Sequence, residues 1–134
     1  MAGNEFDVII IDDESSVTQI FQQYFLWKYK NWRFQTFNDP LNLLDSITRF
    51  NLKAKVWIID IMMPAKNGTE IAALIRQQHG QTPIILAYTA LDRQILDSEE
   101  KYKQGMKHFN HIISKKEDFS SILSLVEVWV GNTP

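Results

Sequence analysis

The sequence predicts an α/β domain built on a parallel sheet, and three observations carry that prediction. Short apolar runs without polar alternation recur along the chain, as strands covered on both faces require. Amphipathic segments of helical period separate them. The 134 residues contain no internal repeat, low-complexity stretch or linker, so they suit one compact domain over 1–134.

In chain order, DVIII (7–11) is the first strand. SSVTQIFQQYFLWKYK follows as a helix, with Val17, Ile20, Phe21, Tyr24 and Phe25 at helical spacing. WRFQTF (32–37) alternates as a second strand, and Asp39 and Pro40 suit the cap and first position of a second helix. Leu41, Leu44 and Ile47 share one face of it. VWIID (56–60) is the third strand, and GTEIAALIRQQHG the third helix, with Ile71, Leu74 and Ile75 inward and Gly80 at its end. PIILAYT (83–89) is the fourth strand. The polar stretch 92–104 is expected as one helix anchored by Ile95 and Leu96. HFNHIIS (108–114) is the fifth strand, and DFSSILSLVEVWVG the last helix, burying Phe119, Ile122, Leu123, Val126 and Trp129. Five strands thus alternate with five helices, joined by right-handed crossovers. The four tryptophans lie in or beside these elements and read as core residues.

Composition excludes several classes of function. With no cysteine there is no disulfide, thiolate-bound zinc or thiol nucleophile. A formal charge of −2, with scattered Lys and Arg, does not point to nucleic acid. MAGNEFD lacks a basic, apolar signal, and no apolar run approaches the ~20 residues of a membrane span. The expectation is a soluble cytoplasmic protein without a membrane partner. His108 and His111, on one strand, would point to opposite faces and share no metal. There is no P-loop pattern. A flavodoxin-type electron carrier would need a phosphate-binding loop after the first strand, where DDESSV sets two carboxylates instead.

Ligands of open parallel sheets bind outside the carboxyl ends of the strands. Asp12 and Asp13 follow the first strand, Asp60 ends the third, Thr89 ends the fourth, and Lys115 lies at the end of the fifth. Singly these are ordinary caps, turn residues or surface charges. Together they converge on one edge.

These residues resemble a family. The acidic pair Asp12-Asp13, the run DIMMPAKNG from Asp60 to Gly68, PIILAYTA ending in Thr89 and Ala90, and Ser114-Lys115 are similar to the receiver domains of two-component response regulators, nearly end to end. The resemblance implies a (βα)5 flavodoxin-like fold of sheet order 2-1-3-4-5, with helices on both faces. It implies that Asp60 is a phosphoryl acceptor served by Lys115 and Thr89. It also implies a metal held by Asp12, Asp13, Asp60 and the backbone carbonyl of Met62, with Asp12 acting mainly through water. Two like charges 4 Å apart cost roughly 4 kcal/mol at an effective dielectric near 20. A hard divalent ion such as Mg2+ removes that cost, and an oxygen-only donor set favours it. The implied donor is a sensor histidine kinase or phosphotransfer protein. The domain would catalyse its own phosphorylation and slow dephosphorylation. Its output would be a protein-binding face of fourth helix, fifth strand and last helix, on a monomer or a phosphorylation-dependent homodimer.

Three positions depart from the family pattern. Lys116 stands where proline usually follows the site lysine, so the bond is expected either trans with a shifted loop or cis at ~3 kcal/mol, and either Lys115 or Lys116 could reach the phosphate. Ile112 replaces the usual aromatic three residues before that lysine, with Phe109 nearby. The 89–115 segment is a few residues longer than usual. A degenerate receiver, acting as a phosphorylation-independent interaction module, is the alternative that these departures keep open.

Overall fold

Side chains that alternate along five short strands build one large core on each face of a sheet. The computed structural model describes residues 4–131, so Met1, Ala2 and Gly3 of MAGNEFD and the last three positions of the 1–134 domain lie outside the described residues. In order come β1 (Glu5–Ile11), α1 (Ser15–Lys28), β2 (Phe34–Phe37), α2 (Pro40–Phe50), β3 (Lys53–Ile59), α3 (Gly68–His79), β4 (Ile84–Thr89), α4 (Arg93–Ser98), α5 (Glu100–Lys103), a 3-10 turn (Gly105–His108), β5 (His111–Ser114), α6 (Phe119–Val126) and a π turn (Glu127–Gly131). The strands form one parallel sheet of order β2-β1-β3-β4-β5, as the resemblance implies. Val8 aligns with Phe34 on one side and Val56 on the other, and Val56 with Ile84.

One face of the sheet presents Val8, Ile10, Val56, Ile58, Leu86 and Tyr88 to Phe21 and Phe25 of α1 and to Ile122, Leu123 and Val126 of α6. The other presents Ile9, Ile11, Trp57, Ile59 and Ile85 to Leu43, Ile47, Ile71, Ala72 and Ile75 of α2 and α3. Each fully buried large aliphatic stabilises the fold by roughly 1.5–3 kcal/mol. Capping agrees with the sequence. The Asp39 carboxylate accepts from the Leu41 N–H at 2.9 Å, and Gly80 follows α3 with φ 71°.

Several details differ from expectation. In α1, Thr18 turns inward while Ile20 is exposed, because Thr18 satisfies its hydroxyl by donating to the Ser15 carbonyl. The inner face of α2 is Leu43 and Ile47, with Leu41 exposed. The stretch 92–104 is not one helix: Glu99 is extended (φ −81°, ψ 124°) between α4 and α5. Its buried anchors are Leu96 and Tyr102, which would not fall on one face of a continuous helix, and Ile95 faces solvent. β5 is shorter than expected, so His108 lies in the 3-10 turn and His111 in the strand. In the wider π turn after α6, Val130 takes the inward place and Trp129 is exposed. Trp27 is also exposed, so core burial holds fully for Trp57 and only partly for Trp32.

Candidate functional site

Parallel ladders deliver the acidic residues to one edge. Ile11 and Ile59 are paired across β1 and β3, and the chain leaves both strands at the next residue. The Asp12 N–H donates to the Phe37 carbonyl (3.1 Å) and the Asp60 N–H to the Ile11 carbonyl (3.0 Å), so both aspartates leave the sheet with their backbones fixed. Asp12 is 2% exposed and Asp60 5%, whereas Asp13 opens to solvent. One carboxylate oxygen from each of the three lies within 4.8 Å of the others.

Lys115 comes from the far side of the same edge. Its N–H donates to the Thr89 carbonyl at 2.8 Å. Its ammonium lies 2.7 Å from Asp12 Oδ2, 3.6 Å from Asp60 Oδ2 and 3.7 Å from Glu14 Oε1. Lys116 turns outward to an exposed pair with Asp92 at 3.1 Å. No peptide bond among the described residues is cis, so Lys115–Lys116 is trans. Thr89 is buried, and its hydroxyl oxygen accepts from the Leu91 N–H at 3.1 Å. Met62 lies in the loop after β3 with its side chain exposed. His108 and His111 take no part in the acidic cluster.

The electrostatics follow from burial. Loss of hydration, followed by the charge of Asp12, pushes the Asp60 carboxyl up to about 7, although Lys115 pulls it down. Burial likewise raises Asp12, against the Lys115 hydrogen bond. Burial would lower Lys115, but the Asp12 hydrogen bond and the charges of Asp60, Asp12 and Glu14 outweigh it and hold the ammonium protonated above its ordinary range. Three carboxylates against one ammonium leave an excess of acidic groups at this edge, two of them buried and Asp13 open to solvent. The donor atoms are hard oxygens of Asp12, Asp13 and Asp60, which fits a hard divalent cation and metal-assisted phosphoryl transfer.

The loop after Asp60 is equally constrained. The Gly68 N–H donates to the Ile61 carbonyl at 2.8 Å. A Cβ on Gly68 would lie 2.3 Å from the Asp60 carbonyl oxygen, so only glycine lets α3 begin against the Asp60 backbone. Asn67 and Glu70 close a capping box there. Two residues at this edge had no role in the sequence reading. Glu14 faces Lys115, and Asn38 donates to the Asp12 carbonyl. Asn38 directly follows β2 and so meets the same strand-end criterion as the others.

The fold and this edge define an α/β domain of the phosphoacceptor-switch type. The family model for the response regulator receiver domain matches residues 8–127, and the chain belongs to that family. No curated protein matches its sequence. Among solved structures it is similar to the Thermotoga maritima response regulator TrrA in complex with Mg2+ and BeF, at 18% identity and TM-score 0.73, over 92% of this chain and 98% of that one. The receiver domain of the Francisella response regulator 1452 is 22% identical with TM-score 0.73, covering 96% and 99% of the two chains. A CheY-like receiver domain protein from Methanospirillum hungatei is 13% identical with TM-score 0.74, covering 94% of each. At these identities the structures speak for the fold, and the family model for the family.

Proposed function

We propose that the chain is a single receiver domain in which Asp60 takes a phosphoryl group from a phosphohistidine on a sensor histidine kinase or phosphotransfer protein. One observation carries the reading: the Lys115 ammonium sits between the buried carboxylates of Asp12 and Asp60, at 2.7 and 3.6 Å. That leaves Asp60 an acceptor with a fixed countercharge beside it.

The ionised Asp60 oxygen attacks phosphorus. The O–P bond forms as the P–N bond breaks, and the departing imidazole nitrogen keeps the electron pair and takes a proton from solvent. A carboxylate is a modest nucleophile, so positioning and charge neutralisation must supply the rate. Lys115 is protonated and pairs with a phosphoryl oxygen, and the Thr89 hydroxyl, released from the Leu91 N–H, hydrogen-bonds to another. Asp12, Asp13 and Asp60 with the Met62 carbonyl would hold Mg2+, which when bound supplies positive charge to the transferring phosphoryl oxygens. The similarity to TrrA, solved with Mg2+ and BeF, supports this choice of ion. Water reverses the modification slowly by attacking the acyl phosphate.

The response falls on the surface of α4, β5 and α6. A cavity of about 460 Å3 lies there, lined by Arg93, Met106, Phe109, Ile112, Glu117 and Leu125 among others. Ile112 and Phe109 pack with Leu96 and Tyr102 in a small third core, so Phe109 stands close to the place the family's aromatic would fill. Among the described residues no helix is long and apolar enough to cross a membrane. The proposed domain is cytoplasmic and is monomeric or dimerises on phosphorylation.

Incubation with Mg2+ and a small acyl phosphate, followed by intact-mass measurement, tests the reading. One phosphoryl group is expected on the wild type and none on Asp60→Asn. An unmodified wild type means a degenerate receiver instead.

A further inference from the structure

Asn38, in the β2–α2 connection, spends both of its side-chain donors at the acidic edge. Its amide nitrogen donates to the Asp12 carbonyl at 2.8 Å and to Thr18 Oγ1 at 2.8 Å. Thr18 is 2% exposed and gives its own proton to the Ser15 carbonyl at 3.1 Å, so its oxygen faces Asn38 as an acceptor. The Asp12 carbonyl is an acceptor only. Both neighbours therefore demand a donor, and an amide NH2 supplies two.

The geometry matters because of which peptide is held. The Asp12 carbonyl belongs to the planar unit that joins Asp12 to Asp13, so fixing it fixes the direction in which Asp13 leaves the strand. The other restraints act elsewhere: the Phe37 carbonyl holds the Asp12 N–H, and the Glu14 N–H holds Asp12 Oδ1 at 2.9 Å. Asp13 is exposed, so packing does not orient it.

We propose that Asn38 is a positioning residue: by holding the 12–13 peptide, tied back to α1 through Thr18, it aims Asp13 toward Asp12 and Asp60 and sets the affinity of the site for a divalent cation. This rests on the cation-binding reading of that site, and the test separates the two.

The probe is Mg2+, titrated calorimetrically into the unphosphorylated full chain. Asn38→Ala removes both donors and weakens binding by about 5–10-fold, near the lower end of the loss usual when a group supporting metal ligands is removed. Thr18→Val keeps the size of the side chain, lies off the cation site and releases the anchor of the amide together with the Thr18 bond to the Ser15 carbonyl; it weakens binding by about 2–3-fold. The double variant binds no more weakly than Asn38→Ala alone, because both changes break one chain of hydrogen bonds. Urea unfolding in a chelator reads stability separately. A merely structural Asn38 would move the urea midpoint and leave Mg2+ affinity at its wild-type value, and that result overturns the proposal. Independent, multiplying losses in the double variant overturn the tie through Thr18. If Asn38→Ala does not fold, Thr18→Val decides alone, and wild-type affinity in it overturns the inference. A wild type that takes up no Mg2+ defeats the cation reading and this inference with it, whereas wild-type binding matched by Asn38→Ala sinks the inference alone.

Discussion

The two ends of the β3–β4 neighbourhood are built in opposite ways. On the side of β1 and β3, Asp12 and Asp60 stand on central strands whose residues Val8 to Ile11 and Val56 to Ile59 are all at most 1% exposed. Gly68 presses on the Asp60 backbone, and Asn38 and Phe37 grip Asp12. Beyond β4 the chain breaks into α4, α5 and a 3-10 turn, with Leu96 and Tyr102 the fully inserted side chains. That segment is fastened at its exit. The buried Arg76 guanidinium donates to the His108 carbonyl at 3.1 Å and to Asn110 Oδ1 at 2.8 Å, and Gly105 lies directly against Thr69. The contrast teaches where rigidity is needed. The chemical half holds charges that repel one another and must not relax. The half proposed to respond has to change shape for the energy of one added phosphoryl group, and a segment held by few anchors suits that.

The largest expected effect lies in the rigid half. Trp57 is fully buried, and Trp57→Ala costs about 3–5 kcal/mol by urea unfolding. A loss below 1 kcal/mol would mean that the half called rigid repacks freely.

The acidic site gives a pH signature opposite to that of ordinary paired carboxylates. Burial pushes the Asp60 carboxyl up to about 7 in the fold, against 3.8 for an ordinary aspartate, so the folded state binds more protons between those values. Its contribution is fully present below pH 4 and is lost as pH rises toward 7. In a chelator, wild-type stability therefore falls across that window. Asp60→Asn removes the buried charge and is more stable than wild type at pH 8 by on the order of 2 kcal/mol, with the gap narrowing below pH 7 and closing only near pH 4. Equal stabilities at pH 8 would contradict the electrostatic account.

Glycines sharpen the comparison at smaller cost. Gly68→Ala forces a methyl into the Asp60 carbonyl and costs about 1–3 kcal/mol. Gly131→Ala meets nothing within 4 Å and stays within about 0.5 kcal/mol of wild type. The smallest effect is expected for Lys116→Ala, which breaks only an exposed pair with Asp92 and changes stability by less than about 0.5 kcal/mol. It leaves acyl-phosphate formation unchanged, whereas Lys115→Ala abolishes or greatly slows it. A reversed pattern would exchange the roles of the two lysines.

The same division separates what the sequence disclosed from what it did not. The β-branched runs that end in Asp12 and Asp60 disclosed both the sheet and its acidic edge, because a strand buried on both faces leaves its first polar residue at the rim. The capping signals of Asp39 and Gly80 are local and read directly. Helix phase was harder to read. Ile20 and Leu41 share the spacing of inward residues, yet Thr18 and Leu43 take those places once neighbouring elements fix the rotation. The break at Glu99 and the π turn that exposes Trp129 depend on long-range packing that no local pattern encodes. The position of Asn38 in sequence marks it as a strand-end residue but not what it holds. Its hold on Asp12 exists because β2 lies beside β1.

The central claim is that the carboxylate of Asp60, and no other group, becomes phosphorylated. The wild type, treated with Mg2+ and a small acyl phosphate, is reduced with borohydride, which converts an aspartyl phosphate to homoserine, and its peptides are sequenced by mass spectrometry. Homoserine at position 60 is the predicted result. An intact aspartate there, with phosphate recovered on another residue or on none, would contradict the account.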